Sequence, residues 1–90
     1  MATATPNGYI AECYWAGVRA QDVGELDGRV HASIAELGAE AVRYLGSVLV
    51  VDDDVVLFLF AGPLASVREV AQRAGVPFGR LLRSTLTWHP

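Results

Sequence analysis

The chain has 90 residues, of which 52% are hydrophobic and 19% charged, and its net charge is −3 at pH 7. This length allows one domain, and this composition supports a hydrophobic core rather than intrinsic disorder. Its positive residues are seven arginines set against ten acids, so the basic face of a nucleic-acid-binding protein is not expected. The single cysteine, Cys13, excludes an internal disulfide and the paired cysteines of a zinc site.

No apolar run approaches the roughly 20 residues that a membrane-spanning helix needs. The first eight residues, MATATPNG, have neither the positive charge nor the apolar run of a signal peptide. We therefore expect a cytoplasmic protein without membrane partners. The same residues are small and polar, which predicts a flexible N-terminal tail over residues 1–8 and a single domain over residues 9–90.

The first two predicted elements are a strand and a helix. The aromatic-rich segment Tyr9–Trp15 is typical of a strand. Residues 22–38 place apolar side chains at steps of three and four, which predicts a helix capped by Asp22 and ended by Gly38. That apolar stripe consists of Val23, Leu26, Val30, Ile34 and Leu37.

Four further elements complete the order β-α-β-β-α-β. Residues 42–51 and 55–60 are strongly apolar β segments, and the three aspartates 52–54 between them predict a hairpin. Residues 64–75 have helical spacing, and residues 81–88 predict the last strand. This order is the split βαβ arrangement of ferredoxin-like α+β domains, an antiparallel sheet with two helices on one face.

The hairpin strands lack the apolar–polar alternation of a half-exposed antiparallel strand. Residues 48–51 and 55–60 are apolar without interruption, so both faces of the sheet carry apolar side chains. Two helices cover one face only, and monomeric proteins rarely leave such a patch in water. We therefore predict a homodimer joined through the open sheet face, in a dimeric α/β-barrel-like assembly.

Glu12 is the first candidate for chemistry because it lies in the middle of an aromatic strand. A buried carboxylate is costly as an anion unless it is paired, bound to a metal or protonated. The functional interpretation places Glu12 inside a pocket between two packed sheets. The structural interpretation, which we favour from the residues alone, is an ion pair with an arginine of a neighbouring strand, such as Arg43 or Arg83.

The other reactive side chains are two histidines and one thiol. His31 follows Asp27 by one helical turn, a spacing that can hold a metal but more often marks a solvated helix flank. His89 is next to the end of the chain. Cys13 lies among aromatic residues and is expected to be a small buried hydrophobe rather than a nucleophile.

The hairpin and second helix also carry a recognisable pattern. An aromatic residue, a serine and an acidic turn, here Tyr44, Ser47 and Asp52–Asp53, precede a helix end with the spacing R-x-x-A-x-R-x-G-x-P. That helix end is formed by Arg68, Ala71, Arg73, Gly75 and Pro77. Together with the strand glutamate Glu12, the pattern resembles a family of small actinomycete proteins, the nickel-binding ferredoxin-like proteins. The likeness extends from the first predicted strand to the last.

The resemblance implies a ferredoxin-like homodimer, in agreement with the argument from the open face, and it implies nickel. Within this chain, Glu12, His31 and His89 are the residues left to supply metal ligands, and nickel favours imidazole and mixed N/O donors. The chain departs from the family at two positions. Gly46 stands where members often carry a histidine, and Val48 stands where a tyrosine often follows the serine.

Three hypotheses for function follow. The first is a non-catalytic ferredoxin-like dimer that binds a small ligand or nickel in a cleft. The expected cleft walls are Glu12, Tyr14, Tyr44, Ser47 and Phe58. The second is a dimeric α/β-barrel enzyme, such as a small cyclase, isomerase or cofactor-free monooxygenase, with Glu12 as general acid or base. The third is a structural or regulatory subunit whose open sheet docks on a different protein.

Overall fold

The computed structural model describes residues 3–38 and 40–88 and shows the predicted order of elements. The strands are β1 (Thr3–Tyr14), β2 (Arg43–Val50), β3 (Val55–Ala61) and β4 (Arg80–Trp88), and the helices are α1 (Ala20–Leu37) and α2 (Leu64–Ala74). The strands form one antiparallel sheet in the order β2-β3-β1-β4. The ferredoxin-like α+β fold is thus confirmed. Neither described helix is both long and apolar enough to cross a lipid bilayer.

The two helices begin and end for local reasons. The N-cap of α1 is Arg19, three residues before the predicted cap, and Asp22 instead accepts a hydrogen bond from the Arg19 backbone N–H at 2.9 Å. Gly38 ends the helix in the left-handed conformation, as predicted. Gly75 ends α2 in the same way. Arg19, Asp22 and Gly38 therefore set the length of the helix that covers much of the sheet.

The core lies between the helices and one face of the sheet. Alternate side chains of the two central strands point into it and are completely buried; these are Ala11 and Cys13 of β1 and Val56, Phe58 and Phe60 of β3. From the helices they meet Leu26, Val30, Val67 and Val70, also completely buried. Because side chains alternate along a strand, the intervening residues of β1 and β3 must lie on the other face.

The first strand begins earlier than the sequence predicts. The tail predicted over residues 1–8 is corrected: from Thr3 onward the chain is part of β1, and Thr3 pairs with Trp88. Residues 1 and 2 lie outside the described part of the chain. The pairing of β1 with β4 shifts around Pro6 and Asn7, and an irregularity of this kind is where a strand tolerates proline. The reason for the difference is tertiary, since β4 is long enough to pair with this segment.

Gly62, between β3 and α2, provides a test of the fold. Its φ is +143°, and a Cβ at this position would stand 2.6 Å from the carbonyl oxygen of Ala41. We expect Gly62→Ala to lower the free energy of unfolding by about 1–3 kcal/mol, because alanine adds backbone strain and its Cβ clashes with Ala41. Urea unfolding measures the change.

The matched control for this prediction is Gly24→Ala within α1, where a Cβ would meet nothing within 4 Å. Alanine is the better helix former by about 1 kcal/mol, so this variant should be more stable than the parent protein. Equal stability of Gly62→Ala and the parent would contradict the close approach of the two backbone segments.

Candidate functional site

The sheet surface opposite the helices, which we call the open face, is apolar across all four strands. Its apolar members are Ile10 and Tyr14 of β1, Leu45, Val48 and Val50 of β2, Val55, Leu57 and Leu59 of β3, and Leu82 and Leu86 of β4. Val48 is 45% exposed and Tyr14 is 76% exposed. The apolar face predicted from the hairpin is therefore present. The two phenylalanines of β3 point into the core, and Val55, Leu57 and Leu59 are the residues of this strand that contribute to the open face.

Glu12 lies on the open face in an ion pair with Arg80. The two residues are directly opposite in the pairing of β1 with β4, and Arg80 Nε donates to Glu12 Oε1 at 2.8 Å. The prediction that Glu12 forms an ion pair with an arginine of a neighbouring strand is confirmed, but the partner is neither Arg43 nor Arg83. Arg43 is on β2, two strands away from β1, and Arg83 is opposite Tyr9 on the helix side of the sheet. Register, not composition, selects Arg80.

A cleft of about 340 Å³ opens at the other end of the open face. Its walls are Arg43 and Leu45 of β2, Leu59 of β3, and Leu86 and Thr87 of β4. Small-molecule sites in proteins usually have volumes of about 300–1,000 Å³ and mainly apolar walls with a few polar groups. In size and chemistry this cleft matches such a site.

Small residues lie in the row of the sheet that contains Arg43. Arg43 pairs with Ala61, Ala61 with Gly8, and Gly8 with Ser84, so this row of the sheet places three small residues beside one arginine. The next row contains larger apolar side chains, among them Leu59. The side chains of the open face are thus shorter in the row of Arg43 than in the row of Leu59.

A second polar group lies on the helix side, between α1 and the edge strand β2. Tyr44 Oη donates to Asp27 Oδ1, and Ser47 Oγ donates to Asp27 Oδ2 at 3.2 Å. The His31 ring stands edge-on to the Tyr44 ring, with 5.4 Å between the ring centroids. Burial and the hydrogen bond to Asp27 raise the pKa of Tyr44 above its usual value. We call the hydrogen-bonded trio Asp27, Tyr44 and Ser47 the latch.

The structure separates the five residues predicted as cleft walls. Glu12 and Tyr14 are on the open face, near the end away from the cleft. Tyr44 and Ser47 belong to the latch, and Phe58 is completely buried in the core. No single cleft contains all five, because neighbouring positions of a strand face opposite sides of the sheet.

The sequence did not predict Asp27 as the hydrogen-bond partner of Tyr44 and Ser47, nor any of the five cleft residues as cleft walls. Asp27 lies directly beside the apolar stripe of α1, and an acidic residue next to a buried stripe is a weak signal of a buried partner. The cleft had no comparable signal, since its walls are contributed by three strands whose pairing is not visible in the sequence.

The nickel ligands implied by the family resemblance do not form a site within one chain. Glu12 is on the open face and paired with Arg80, whereas His31 is on α1, on the opposite side of the sheet. His89 lies outside the described residues. Within residues 3–38 and 40–88, no group of three or more histidine, cysteine, aspartate or glutamate side chains is placed to hold a metal ion. The described donors therefore do not fit nickel.

Cys13 has the environment predicted for it. Its side chain is completely buried in the core. Burial, with a smaller contribution from the neighbouring Glu12 carboxylate, raises the pKa of the thiol to about 12. A thiol in this environment stays protonated at neutral pH and is a poor nucleophile.

Comparison of the chain with protein families, with characterised proteins and with solved structures finds no match. The resemblance to the actinomycete nickel-binding family stays a prediction from the sequence. The geometry of the open face and of the latch is therefore the basis for assigning function.

The latch predicts a specific pH dependence of stability. Tyr44→Phe should lower the free energy of unfolding at pH 7 by about 1–3 kcal/mol, because Asp27 loses a hydrogen-bond donor. In the parent protein the pKa of Tyr44 is raised by folding, so its contribution is complete below about pH 10 and is lost as the pH rises further. Urea unfolding between pH 7 and pH 11 measures both effects.

In Tyr44→Phe the part of the alkaline loss that belongs to this hydroxyl should disappear. Ser47→Ala provides the graded control, because it removes only the 3.2 Å hydrogen bond to Asp27 and should cause a smaller loss at pH 7. Since Ser47 lowers the pKa of Tyr44, the alkaline loss should remain in this variant and move to higher pH. A Tyr44→Phe protein with the stability and alkaline slope of the parent would show that the latch contributes nothing.

Proposed function

We propose that this protein binds a small apolar ligand without catalysing a reaction and works as a homodimer packed through the open face. One observation carries the proposal: the apolar surface and the ligand-sized cleft are on the same side of the sheet. The surface proposed as the dimer interface is therefore also the surface that contains the cleft.

The extent of the open face supports the dimer. Apolar residues line it from β2 to β4, and Val48 and Tyr14 are among the most exposed large apolar side chains of the described residues. Burial of apolar surface contributes about 25 cal/mol per Å², so covering this face favours association. A second copy is the partner of matching chemistry, since an isologous interface places the same apolar surface on both sides.

The shape of the cleft supports a ligand held between the two copies. Buried ligand sites usually enclose most of the ligand surface, and a hollow on one sheet face has no wall on its outer side. The sheet of a second copy, packed at the usual distance of about 10 Å, supplies that wall. Arg43, Leu45 and Leu86 then line one side of a closed pocket.

The alternative functions have less support. An acid or base role for Glu12 requires a carboxylate available to a substrate, and Glu12 is engaged by Arg80 at 2.8 Å. Nickel binding lacks a ligand set among the described residues of one chain. Docking on a different protein would use the same open face, and the measurement of molecular mass below distinguishes it from a homodimer.

The mass of the protein in solution tests the dimer. We expect sedimentation equilibrium at micromolar concentration to give twice the 9.6 kDa of one chain. Leu57→Asp should convert the protein to a folded monomer, because it places a charge on a central strand of the open face, opposite Val48. Circular dichroism checks that the variant remains folded.

Leu64→Asp is the matched control, because it makes the same change at an exposed leucine at the start of α2. This variant should keep the mass of the parent. A parent protein that sediments as a single chain would contradict the homodimer and leave docking on a different protein as the better explanation of the open face.

Ligand binding is tested with two small aromatic probes, naphthalene-2-carboxylate and its uncharged carboxamide. We expect at least one of them to shift the methyl NMR signals of Leu45, Leu59 and Leu86, which line the cleft. The methyl signals of Leu26, buried in the core, and of Leu64, on α2, should not move. If neither probe moves the cleft signals, the binding function is contradicted.

A further inference from the structure

We infer that the natural ligand of the cleft is an apolar molecule with one anionic group, such as a carboxylate, and that Arg43 binds this group. The inference rests on the proposed function, because it names the chemical class of the ligand in the same cleft. It is carried by the charges of the open face and by the position of Arg43 within it.

Three charged side chains lie on the open face among the described residues. Glu12 and Arg80 neutralise each other through their ion pair, which leaves Arg43 as the charge without a counter-charge on this surface. The described residues form two salt bridges, and neither includes Arg43. The protein as a whole carries a net charge of −3, so a positive apolar surface is contrary to the overall charge.

Arg43 also stands where a ligand group would meet it. It lines the cleft with three leucines and a threonine, and the row of small residues Ala61, Gly8 and Ser84 begins at its side. The planar guanidinium donates parallel hydrogen bonds to a carboxylate, and such charge-assisted bonds are stronger than neutral ones. The leucines are suited to the apolar body of the same molecule.

Packing of a second copy on the open face would make an unpaired Arg43 more costly. A sheet that covers the open face removes water from around Arg43, and a charge that loses water without gaining a partner is costly. An anionic group in the cleft supplies that partner. Because such a ligand binds the closed dimer more tightly than the single chain, it also shifts the equilibrium towards the dimer.

The test compares the two probes by isothermal titration calorimetry. Naphthalene-2-carboxylate and naphthalene-2-carboxamide have nearly the same shape, and only the first is an anion at pH 7. We expect the parent protein to bind the carboxylate roughly tenfold or more tightly than the carboxamide. Arg43→Gln should lose this preference and bind both probes with similar affinity.

Arg68→Gln is the matched control, because Arg68 is an exposed arginine of α2, outside the open face. It changes the net charge by the same amount and should keep the preference for the carboxylate. Arg43→Lys provides a second check of the geometry: it keeps the charge without the planar fork, so its preference should be intermediate.

The outcomes separate this inference from the proposed function. Equal affinity of the parent protein for both probes would overturn the inference and leave the binding function intact. A preference for the carboxylate that survives in Arg43→Gln would also overturn it, since the anion would then bind elsewhere. Failure of both probes to bind at all would overturn the binding function itself, and the inference with it.

Discussion

Two helices can shield one side of a four-stranded sheet, and the strands of this protein are apolar on both sides. Everything else in the structure is arranged around that constraint. The helix side forms a dry core in which Phe58 and Phe60 are completely buried. Among the described residues, no helix or strand covers the apolar side chains of the open face, and removing them from water would favour association.

The latch and the cleft are connected through the edge strand β2. Tyr44 anchors this strand to α1 through Asp27, and its neighbours Arg43 and Leu45 line the cleft on the opposite side of the sheet. The pairing of β2 with β3 shifts between Tyr44 and Gly46, and a bulge of this kind turns an additional side chain towards one face. A half-buried hydrogen bond on one side of the sheet thus orients the residues of the proposed binding site on the other.

The charged side chains of the open face are few and are placed at opposite ends of it. Glu12 and Arg80 are directly opposite each other on neighbouring strands, so their ion pair leaves no net charge at the end of the open face away from the cleft. Arg43, on β2, has no such partner among the described salt bridges and stands at the edge of the hollow. A surface that is apolar, locally neutral and positive at one end is suited to a small molecule with an apolar body and an anionic end.

The order of the elements, both helix ends at glycine and the apolar character of the open face were determined by the sequence, since these features depend on local spacing and composition. Only the tertiary structure decided the start of β1 at Thr3, the choice of Arg80 as the partner of Glu12 and the position of the cleft. The physical reason is register. A shift of one residue between strands moves every side chain to the other face, and pairing between distant segments has no signature within either segment.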